Sequence, residues 1–379
     1  MIPYGRQNIN AEDIASVLNV LKSDWLTQGP IVVKFEETIA NYVGAKYAVS
    51  ACNATAALHL ACRALGLGDQ DILWTSPNTF LASANCALYC GATVDFVDID
   101  PNTLNMCPNL LAEKLKKAEK IGKLPKIILP IHFSGQSCDM EKIFKLAKQY
   151  GCFVIEDASH AIGADYKNKK VGSCIYSDIT VFSFHPVKII TTGEGGMTVT
   201  NQTNLYEKML QLRSHGMTRN QNDMTKLSEG DWYYQQIDLG YNYRLTDIQA
   251  ALGVTQLNSI EKFINRRRYL ANRYHEELSD LPITLPLHSQ LNESSWHLYV
   301  IQAENRAAVF EKLRNARIGV NVHYIPVHTQ PYYQKMGFKI GDFPNAEYYY
   351  SRAVTLPLFY DLSDRDQYYI IEKLKDCLS

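Results

Sequence analysis

Seven short apolar runs, separated by helical stretches, occupy the chain between residues 47 and 200. This alternation constrains the fold most strongly, because strands that are buried on both faces and joined by helices form a mainly parallel sheet with helical covers. We therefore predict an α/β fold with a large domain built on a seven-stranded sheet. The runs are YAVSA (47–51), ILWT (72–75), VDFVDI (94–99), KIILPI (126–131), FVIED (153–157), ITVFSF (179–184) and GMTVT (196–200).

Helices are predicted before this region. Residues 11–22 have the spacing of an amphipathic helix, and Asn10 is a plausible N-cap. A turn-rich loop, SDWLTQGP (23–30), leads to a second amphipathic helix. The apolar stripe of the first helix comprises Ile14, Val17, Leu18 and Leu21, and that of the second comprises Phe35, Ile39, Tyr42 and Val43.

A smaller α+β domain is predicted at the C-terminal side. A long helical region near 246–281 leads into it, and the new domain begins near residue 260. Its strand signals are HLYVIQA (297–303) and VNVHYIP (320–326), and residues 305–316 have helical character.

Charge and cysteine content limit the class of protein. Lys plus Arg number 38 and Asp plus Glu number 39, giving a net charge of −1, whereas non-specific nucleic-acid binding needs a basic surface. The nine Cys residues include no CxxC pair, which is typical of a reducing compartment. The N-terminus has no apolar signal-peptide core, and no run of 18 apolar residues exists. We therefore expect a cytoplasmic protein that binds neither nucleic acid nor membrane.

Several common chemistries lack their motifs. No GxGxxG follows the first strand, no GxxxxGK[ST] exists, and GxSxG and HExxH are absent. This excludes the usual dinucleotide, P-loop, serine-hydrolase and zinc-protease interpretations. Ligands of open α/β sheets bind beyond the carboxyl ends of the strands, so the polar residues that follow each run are the candidates.

Three of those polar positions together suggest a cofactor. Asn53, Ala54 and Thr55 open a helix after the first strand, either as an ordinary capped corner or as a phosphate cradle. Glu156 and Asp157 end the fifth run, where a carboxylate is either a surface acid or the partner of a bound cation. Lys188 follows the sixth run, before a Gly-rich turn. An acid, an imine-forming lysine and a phosphate cradle are what pyridoxal 5′-phosphate requires.

Long segments of the chain resemble the DegT/DnrJ/EryC1/StrS family of sugar aminotransferases, and the resemblance covers essentially the whole sequence. The segments are NATAALHLA (53–61), SPNTFLASANCALYCGATVDFVDID (76–100), EDASHAIGA (156–164), FSFHPVKIITTGEGG (182–196), LRSHGM (212–217) and GYNYRLTDIQAALG (240–253). IPYGRQNI, SDWLTQGP and VHYIP further resemble the pseudaminic-acid branch, whose members are UDP-4-amino-4,6-dideoxy-N-acetyl-β-L-altrosamine transaminases.

The resemblance implies a fold type I transferase that uses pyridoxal 5′-phosphate and works as a homodimer with shared active sites. The implied domains are an N-terminal segment packed on the active site (1–30), a large cofactor-binding domain (31–259) and a small C-terminal domain (260–379). The implied reaction moves an amino group, by analogy from glutamate, to C4 of a UDP-linked 4-keto sugar. Another nucleotide-linked 3- or 4-keto sugar is the alternative substrate.

The resemblance also implies residue roles. Lys188 would carry the cofactor covalently and act as base and acid, while Asp157 would pair with the pyridine nitrogen. The other implied cofactor contacts are Ala54, Thr55 and Ser183 at the phosphate, Phe80 stacked on the ring, His160 beside it, and Asn242 from the partner subunit. The implied substrate contacts are Tyr4, Asp24, Trp25, Leu26, Thr27, Gly29, His215, Asn321, Val322, His323 and Tyr324. For Arg213, a substrate contact and a salt bridge are both open.

Three other functions share parts of this pattern. Sugar 3-dehydratases of the same family carry His in place of the Schiff-base lysine, so the presence of Lys188 argues against that reaction. A scaffolding protein derived from the family would not need the intact set of Lys188, Asp157, Ser183 and Asn242. An amino-acid aminotransferase of the same fold would bind its donor carboxylate through a small-domain arginine, for which Arg317 is available.

Overall fold

A seven-stranded sheet forms the centre of the structure, a computed structural model that describes residues 1–287 and 292–378. The strands of all sheets in the described chain, in chain order, are β1 (Tyr47–Ala51), β2 (Ile72–Thr75), β3 (Thr93–Phe96), β4 (Ile127–Leu129), β5 (Phe153–Asp157), β6 (Asp165–Tyr166), β7 (Lys169–Lys170), β8 (Ile179–Ser183), β9 (Gly196–Thr200), β10 (Met217–Thr218), β11 (Gln235–Gln236), β12 (Ile283–Thr284), β13 (Asn292–Glu293), β14 (Tyr299–Ala303) and β15 (Ala353–Leu356).

The central sheet has the order β1-β9-β8-β5-β4-β2-β3. Only β9 is antiparallel, to both β1 and β8, so the other six strands point the same way. All seven predicted runs are strands of this sheet, which confirms the α/β prediction. Three runs end early: the third strand stops at Phe96, the sixth stops at Ser183, and the fourth stops at Leu129, before Pro130, which lacks the N–H that a ladder needs.

Thirteen α-helices cover the sheets in the described part of the chain. They are α1 (Ala11–Leu21), α2 (Pro30–Val43), α3 (Ala54–Ala64), α4 (Ala82–Tyr89), α5 (Pro108–Lys120), α6 (Met140–Gln149), α7 (Thr203–Arg213), α8 (Asp247–Asn258), α9 (Ile260–Leu278), α10 (Arg306–Asn315), α11 (Pro331–Gln334), α12 (Pro344–Arg352) and α13 (Asp364–Leu378). No helix among the described residues is both long and apolar enough to cross a membrane.

Helix α1 forms as predicted, but its apolar stripe does not face the core. Asn10 caps it through a capping box with Asp13. Ile14, Leu18 and Leu21 are 55%, 47% and 52% exposed, whereas Asp13 is fully buried. The helix packs on α8 through its other side, where the Asp13 carboxylate accepts hydrogen bonds from the side chains at the C-terminal end of α8. The contact of α1 with α8 is thus made around a buried carboxylate whose hydrogen bonds are satisfied.

The C-terminal part has its own antiparallel sheet, β12-β14-β15, packed against α9, α10 and α13 around an apolar core. The strand predicted at 297–303 is confirmed as β14. The strand predicted at 320–326 is wrong, because this segment makes only a single bridge, between Asn321 and Thr355. Its chain turns away instead, towards the carboxyl edge of the central sheet.

Candidate active site

The carboxyl ends of β1, β2, β5 and β8 meet at one edge of the central sheet, because these strands are parallel. The pairing of residues between the strands shows which residues lie at this edge. Gly196 of β9 pairs with both Ala51 and Ser183, so the ends of β1, β9 and β8 lie in one row. The next strand, β5, ends there at Asp157.

Lys188 lies on the loop between β8 and β9. Its backbone N–H donates to the carbonyl of His185 at 2.9 Å, and the buried side chains of Ile189 and Ile190 anchor the loop in the core behind it. Burial lowers the pKa of the Lys188 amine to about 8, while the charge of nearby Asp157 opposes the shift. A substantial part of this amine is therefore neutral near pH 8, as a nucleophile or base must be.

Asp157 presents its carboxylate to the same cleft. It is 4% exposed, and its Oδ1 accepts the N–H of Ser159 at 3.0 Å. Its Oδ2 accepts the hydroxyl of Ser83 at 2.6 Å. Ser83 belongs to the first turn of α4, and the sequence analysis missed it. Its only sequence signal was its place in the family-like segment 76–100.

Glu156 takes no part in this cleft. Its carboxylate accepts hydrogen bonds from Ser177, Thr180 and His132, the last at 2.7 Å. Burial alone would raise its pKa, but these donors hold the pKa of Glu156 below its usual value. Cys138 N–H donates to Nδ1 of the histidine, which leaves Nε2 as the protonated nitrogen facing the carboxylate. Glu156 is thus a satisfied structural acid.

The start of α3 has free donors. The Asn53 side chain accepts the N–H of Ala56 at 2.9 Å, whereas within the described chain no hydrogen bond is made by the N–H groups of Ala54 and Thr55. Gly196 lies against this turn so closely that an added Cβ would come within 2.7 Å of the Ala54 nitrogen. Ser183, 7% exposed, adds a hydroxyl in the same row. Two free N–H groups, a hydroxyl and a helix N-terminus suit a phosphate.

Aromatic side chains surround the cleft. His160 is 5% exposed, its Nε2 lies 3.0 Å from the Tyr324 hydroxyl, and its Nδ1 has no partner among the described residues. Burial, and secondarily the charge of Lys188, hold the pKa of His160 well below its usual value, so this ring is neutral. Phe80 is 58% exposed, and its ring lies 6.2 Å from that of Tyr324. A buried ring missed by the sequence analysis, His297, lies 4.5 Å from His160.

The segment 321–324 lines the small-domain side. The Nδ1 of His323 lies 2.8 Å from Thr355 Oγ1, and burial with the charge of Lys188 lowers the pKa of His323 to about 3. Tyr4 of the N-terminal segment packs on it with ring centroids 5.5 Å apart, and burial raises the pKa of the Tyr4 hydroxyl while the Asn321 side chain opposes this shift. Val322 packs into the adjoining apolar cluster. The effect of the Lys188 charge on His323 places this segment next to the cleft.

The loop 24–29 is held by the Asp247 carboxylate and by the Gln28 side chain, which donates to the carbonyl of Leu245 at 3.0 Å. Asp247, at the start of α8, accepts the N–H groups of Gly29 at 2.9 Å and of Ile31 and Val32 at 3.3 Å. Trp25 and Leu26 are 58% and 47% exposed. Asp24 and Thr27 are exposed as well. Position 29 requires glycine, because a Cβ there would clash with Asp247 and Trp25.

Asn242 and His215 lie on the surface of this single chain. The backbone of Asn242 bridges Ser214, and the N–H of His215 donates to the carbonyl of Tyr241. Both side chains are exposed. The structure does not bring them to Lys188 of the same chain through any described hydrogen bond.

Arg213 is a structural residue. It is 7% exposed, and its Nη1 donates to Glu36 and, at 3.0 Å, to the carbonyl of Ser50. Of the two roles left open by the sequence, the structure shows the salt bridge.

Comparison with known proteins identifies this constellation. The model of the DegT/DnrJ/EryC1/StrS aminotransferase family matches residues 7–375. The chain belongs to this family. It is 41% identical to the spore coat polysaccharide biosynthesis protein SpsC of Bacillus subtilis, over 99% of this chain and 96% of that protein. It is 38% identical, over the same shares, to a UDP-4-amino-4,6-dideoxy-N-acetyl-β-L-altrosamine transaminase of Campylobacter jejuni.

Solved structures agree with this assignment. The aminotransferase PseC of Helicobacter pylori, involved in pseudaminic acid biosynthesis, superposes with a TM-score of 0.91 at 33% identity, over 100% of this chain and 99% of that one. The chain is accordingly an aminotransferase with a fold type I architecture, and its cofactor is pyridoxal 5′-phosphate.

The residues present fit that cofactor. The free N–H groups of Ala54 and Thr55 would bind its phosphate, and the Asp157 carboxylate would face its ring nitrogen. The Nδ1 of His160 is buried and has no hydrogen-bond partner among the described residues, as expected of an atom that contacts a bound ligand. Lys188 supplies the amine, which a low pKa keeps reactive.

Proposed function

We propose that the protein transfers an amino group from an amino acid, glutamate, to C4 of a UDP-linked 4-keto-6-deoxy-N-acetylhexosamine. The product would be UDP-4-amino-4,6-dideoxy-N-acetyl-β-L-altrosamine, an intermediate of pseudaminic acid biosynthesis, made in the cytoplasm. The aminotransferase reaction is supported chiefly by one observation: the Lys188 amine, whose pKa desolvation lowers to about 8, interacts electrostatically with the buried Asp157 carboxylate at the same sheet edge. The choice of sugar is supported by the names of the Campylobacter and Helicobacter relatives.

In this proposal each residue has a distinct task. The bound cofactor supplies an electron sink for the developing carbanion. Asp157 keeps a negative charge next to the ring nitrogen, and Lys188 Nζ takes the proton from the donor's α-carbon. In the second half of the reaction, Lys188 returns a proton to the former carbonyl carbon of the sugar. The pKa of about 8 suits a group that must both accept and donate a proton.

The site belongs to a homodimer in this proposal. Asn242 and His215 are exposed in the single chain, although they lie in segments that resemble cofactor- and substrate-binding parts of the family. A second copy that supplies Asn242 would give these side chains a site to serve. The exposed stripe of α1, with Ile14, Leu18 and Leu21, offers apolar surface that such a dimer could cover.

A second candidate substrate is another nucleotide-linked 3- or 4-keto sugar. The identity of 41% to SpsC, a protein named for spore coat polysaccharide biosynthesis, exceeds the 38% to the altrosamine transaminase. Both candidates require the same chemistry at Lys188, so they differ only in what the residues around 24–27 and 321–324 accept.

Product analysis separates the two. The purified enzyme, loaded with pyridoxal 5′-phosphate, is incubated with glutamate and a panel of UDP- and dTDP-linked 4-keto-6-deoxy sugars, and products are identified by mass spectrometry. The proposal expects a 4-amino sugar from the UDP-linked N-acetylhexosamine at the highest kcat/KM. A higher kcat/KM for a dTDP-linked sugar, or for a 3-keto sugar, would establish the second candidate.

A further inference from the structure

The Asp157 carboxylate stands at the end of a chain of two buried hydroxyl groups. Ser83 Oγ lies 2.6 Å from Asp157 Oδ2, and Thr79 Oγ1 lies 2.8 Å from Ser83 Oγ. The three residues are 4%, 1% and 3% exposed in the order Asp157, Ser83, Thr79. The first turn of α4 and the loop before it therefore hold the Asp157 carboxylate through hydrogen bonds.

The direction of these hydrogen bonds follows from the chemistry of the groups. An ionised carboxylate only accepts, so the Ser83 hydrogen must point to Asp157. The Ser83 oxygen is then free to accept, and the hydrogen of Thr79 points to Ser83. Thr79 thus acts on Asp157 only through Ser83, in a chain in which each donor strengthens the next.

This chain also fixes the orientation of the carboxylate. Ser83 holds Oδ2 while the Ser159 N–H holds Oδ1, so both oxygens are pinned and rotation of the group would break a charge-assisted hydrogen bond. A pinned carboxylate keeps its remaining lone pairs in a constant direction. Without Ser83, the group could turn towards the neighbouring cation, Lys188.

We propose that Ser83, supported by Thr79, is a positioning residue that orients the Asp157 carboxylate for the cofactor's ring nitrogen. This rests on the family's use of pyridoxal 5′-phosphate and is independent of which sugar is the substrate.

The test uses the full-length apoenzyme and pyridoxal 5′-phosphate. Ser83→Ala should raise the cofactor Kd roughly tenfold, as expected when a hydrogen bond to a buried charge is lost. Thr79→Val should raise it by about threefold, since the Ser83 bond remains but is weakened. Because Thr79 works through Ser83, the double variant should match Ser83→Ala alone. Additive effects in the double variant would overturn the proposed order.

A second measurement separates positioning from stability. The pH midpoint for covalent attachment of the cofactor reports the pKa of the Lys188 amine, and the charge of Asp157 raises this pKa. In Ser83→Ala the carboxylate turns towards the amine, so the midpoint should move upward by about half a pH unit. An unchanged midpoint together with an unchanged Kd would overturn the proposal.

Thr200→Val is the matched control. Thr200 is a fully buried threonine whose hydroxyl donates to the carbonyl of Asp178 at 2.7 Å, and it pairs with Tyr47 at the opposite edge of the central sheet. This variant loses a buried hydroxyl like the others, and its melting temperature should fall while the Kd and the pH midpoint stay unchanged. A change of the Kd in this control equal to that of Ser83→Ala would show a general stability effect and overturn the proposal.

Discussion

Glu156 and Asp157 are adjacent in the sequence, but their carboxylates serve opposite faces of β5. Asp157 reaches Ser83 on the cleft side, and Glu156 reaches His132 on the other side. Successive side chains of a strand alternate between its faces, so only one of two neighbouring acids can enter the cleft. The second acid anchors the strand end that carries the first.

Replacing Lys188 tests the centre of the site. Lys188→Ala should retain the fold and bind pyridoxal 5′-phosphate without a covalent bond, while turnover falls roughly 10²–10⁴-fold because the base is lost. Borohydride reduction followed by peptide mass spectrometry should find the cofactor on Lys188 in the natural protein and on no lysine in the variant. Lys142→Ala, at an exposed lysine paired with Asp139, is the control and should keep full activity. A cofactor adduct on another lysine would refute this assignment.

The pH dependence follows from the pKa of Lys188. Only the neutral amine attacks the cofactor aldehyde, so the rate of covalent attachment to the apoenzyme should rise through pH 8 and level off above it. Asp157→Asn removes the charge that raises this pKa, so its midpoint should lie lower. Stopped-flow absorbance between pH 6 and pH 10 measures both. A midpoint near the usual lysine value would contradict the burial of the amine.

Gly196 should be essential for the phosphate cradle. In Gly196→Ala the new Cβ would lie 2.5 Å from the backbone carbonyl oxygen of Asn53 and 2.7 Å from the backbone nitrogen of Ala54, so the start of α3 must move. We expect a cofactor Kd raised by about tenfold or more, because displaced N–H groups no longer meet the phosphate. Gly68→Ala is the control, since a Cβ there meets nothing within 4 Å. Equal Kd values for the two variants would show that the cradle tolerates displacement.

The buried ion pair of Arg213 and Glu36 should matter for stability. Arg213→Ala leaves the Glu36 carboxylate buried without its cation, which should cost about 3–5 kcal/mol in the free energy of unfolding. Urea denaturation measures this, and adding Glu36→Gln should recover part of the loss because no charge remains to be buried. Lys226→Ala, which breaks an exposed ion pair with Glu229, should leave the midpoint of urea denaturation unchanged. A small loss in Arg213→Ala with strongly impaired sugar binding would instead indicate a substrate contact.

Hybrid dimers test the role of Asn242. Asn242→Asp should weaken cofactor binding by charge repulsion at the phosphate, and Lys188→Ala should be inactive. If Asn242 serves the partner's site, a hybrid of the two variants contains one intact site, so mixing the two proteins under exchange conditions, at a cofactor concentration too low to saturate Asn242→Asp, should raise the activity above that of either protein alone. Turnover measured before and after subunit exchange checks this. Mixtures that gain no activity although mass spectrometry shows hybrids would mean that Asn242 does not cross between subunits.

Much of the fold could be read from the sequence because buried parallel strands leave a strong local signal. All seven central strands were predicted, and so were helices α1 and α2. The prediction was wrong where the chain is shaped by distant partners. The segment 320–326 has strand-like residues, but it pairs only at Asn321. The sequence showed the apolar stripe of α1 but not which side of the helix is buried, and the helix packs on α8 through Asp13 instead.

The site was predictable only in its principal residues. Lys188 and Asp157 follow strand ends, which topology alone brings together. Ser83 comes from a helix and His297 from the loop before β14, and nothing in their local sequence shows that they would meet Asp157 and His160. The pairing of Arg213 with Glu36 likewise joins residues from two helices far apart in the chain.

The attachment of the loop 24–29 to Asp247 has a practical consequence for enzyme engineering. The Asp247 carboxylate accepts the N–H of Gly29, the backbone N–H of Asp247 donates to the carbonyl of Leu26, and the Gln28 side chain donates to the carbonyl of Leu245. None of these hydrogen bonds uses a side chain between Asp24 and Thr27. At the other end, the Ser23 hydroxyl donates to the carbonyl of Val20. The side chains from Asp24 to Thr27 can therefore be exchanged between relatives without removing these hydrogen bonds, and under the proposed function this exchange should change the sugar preference.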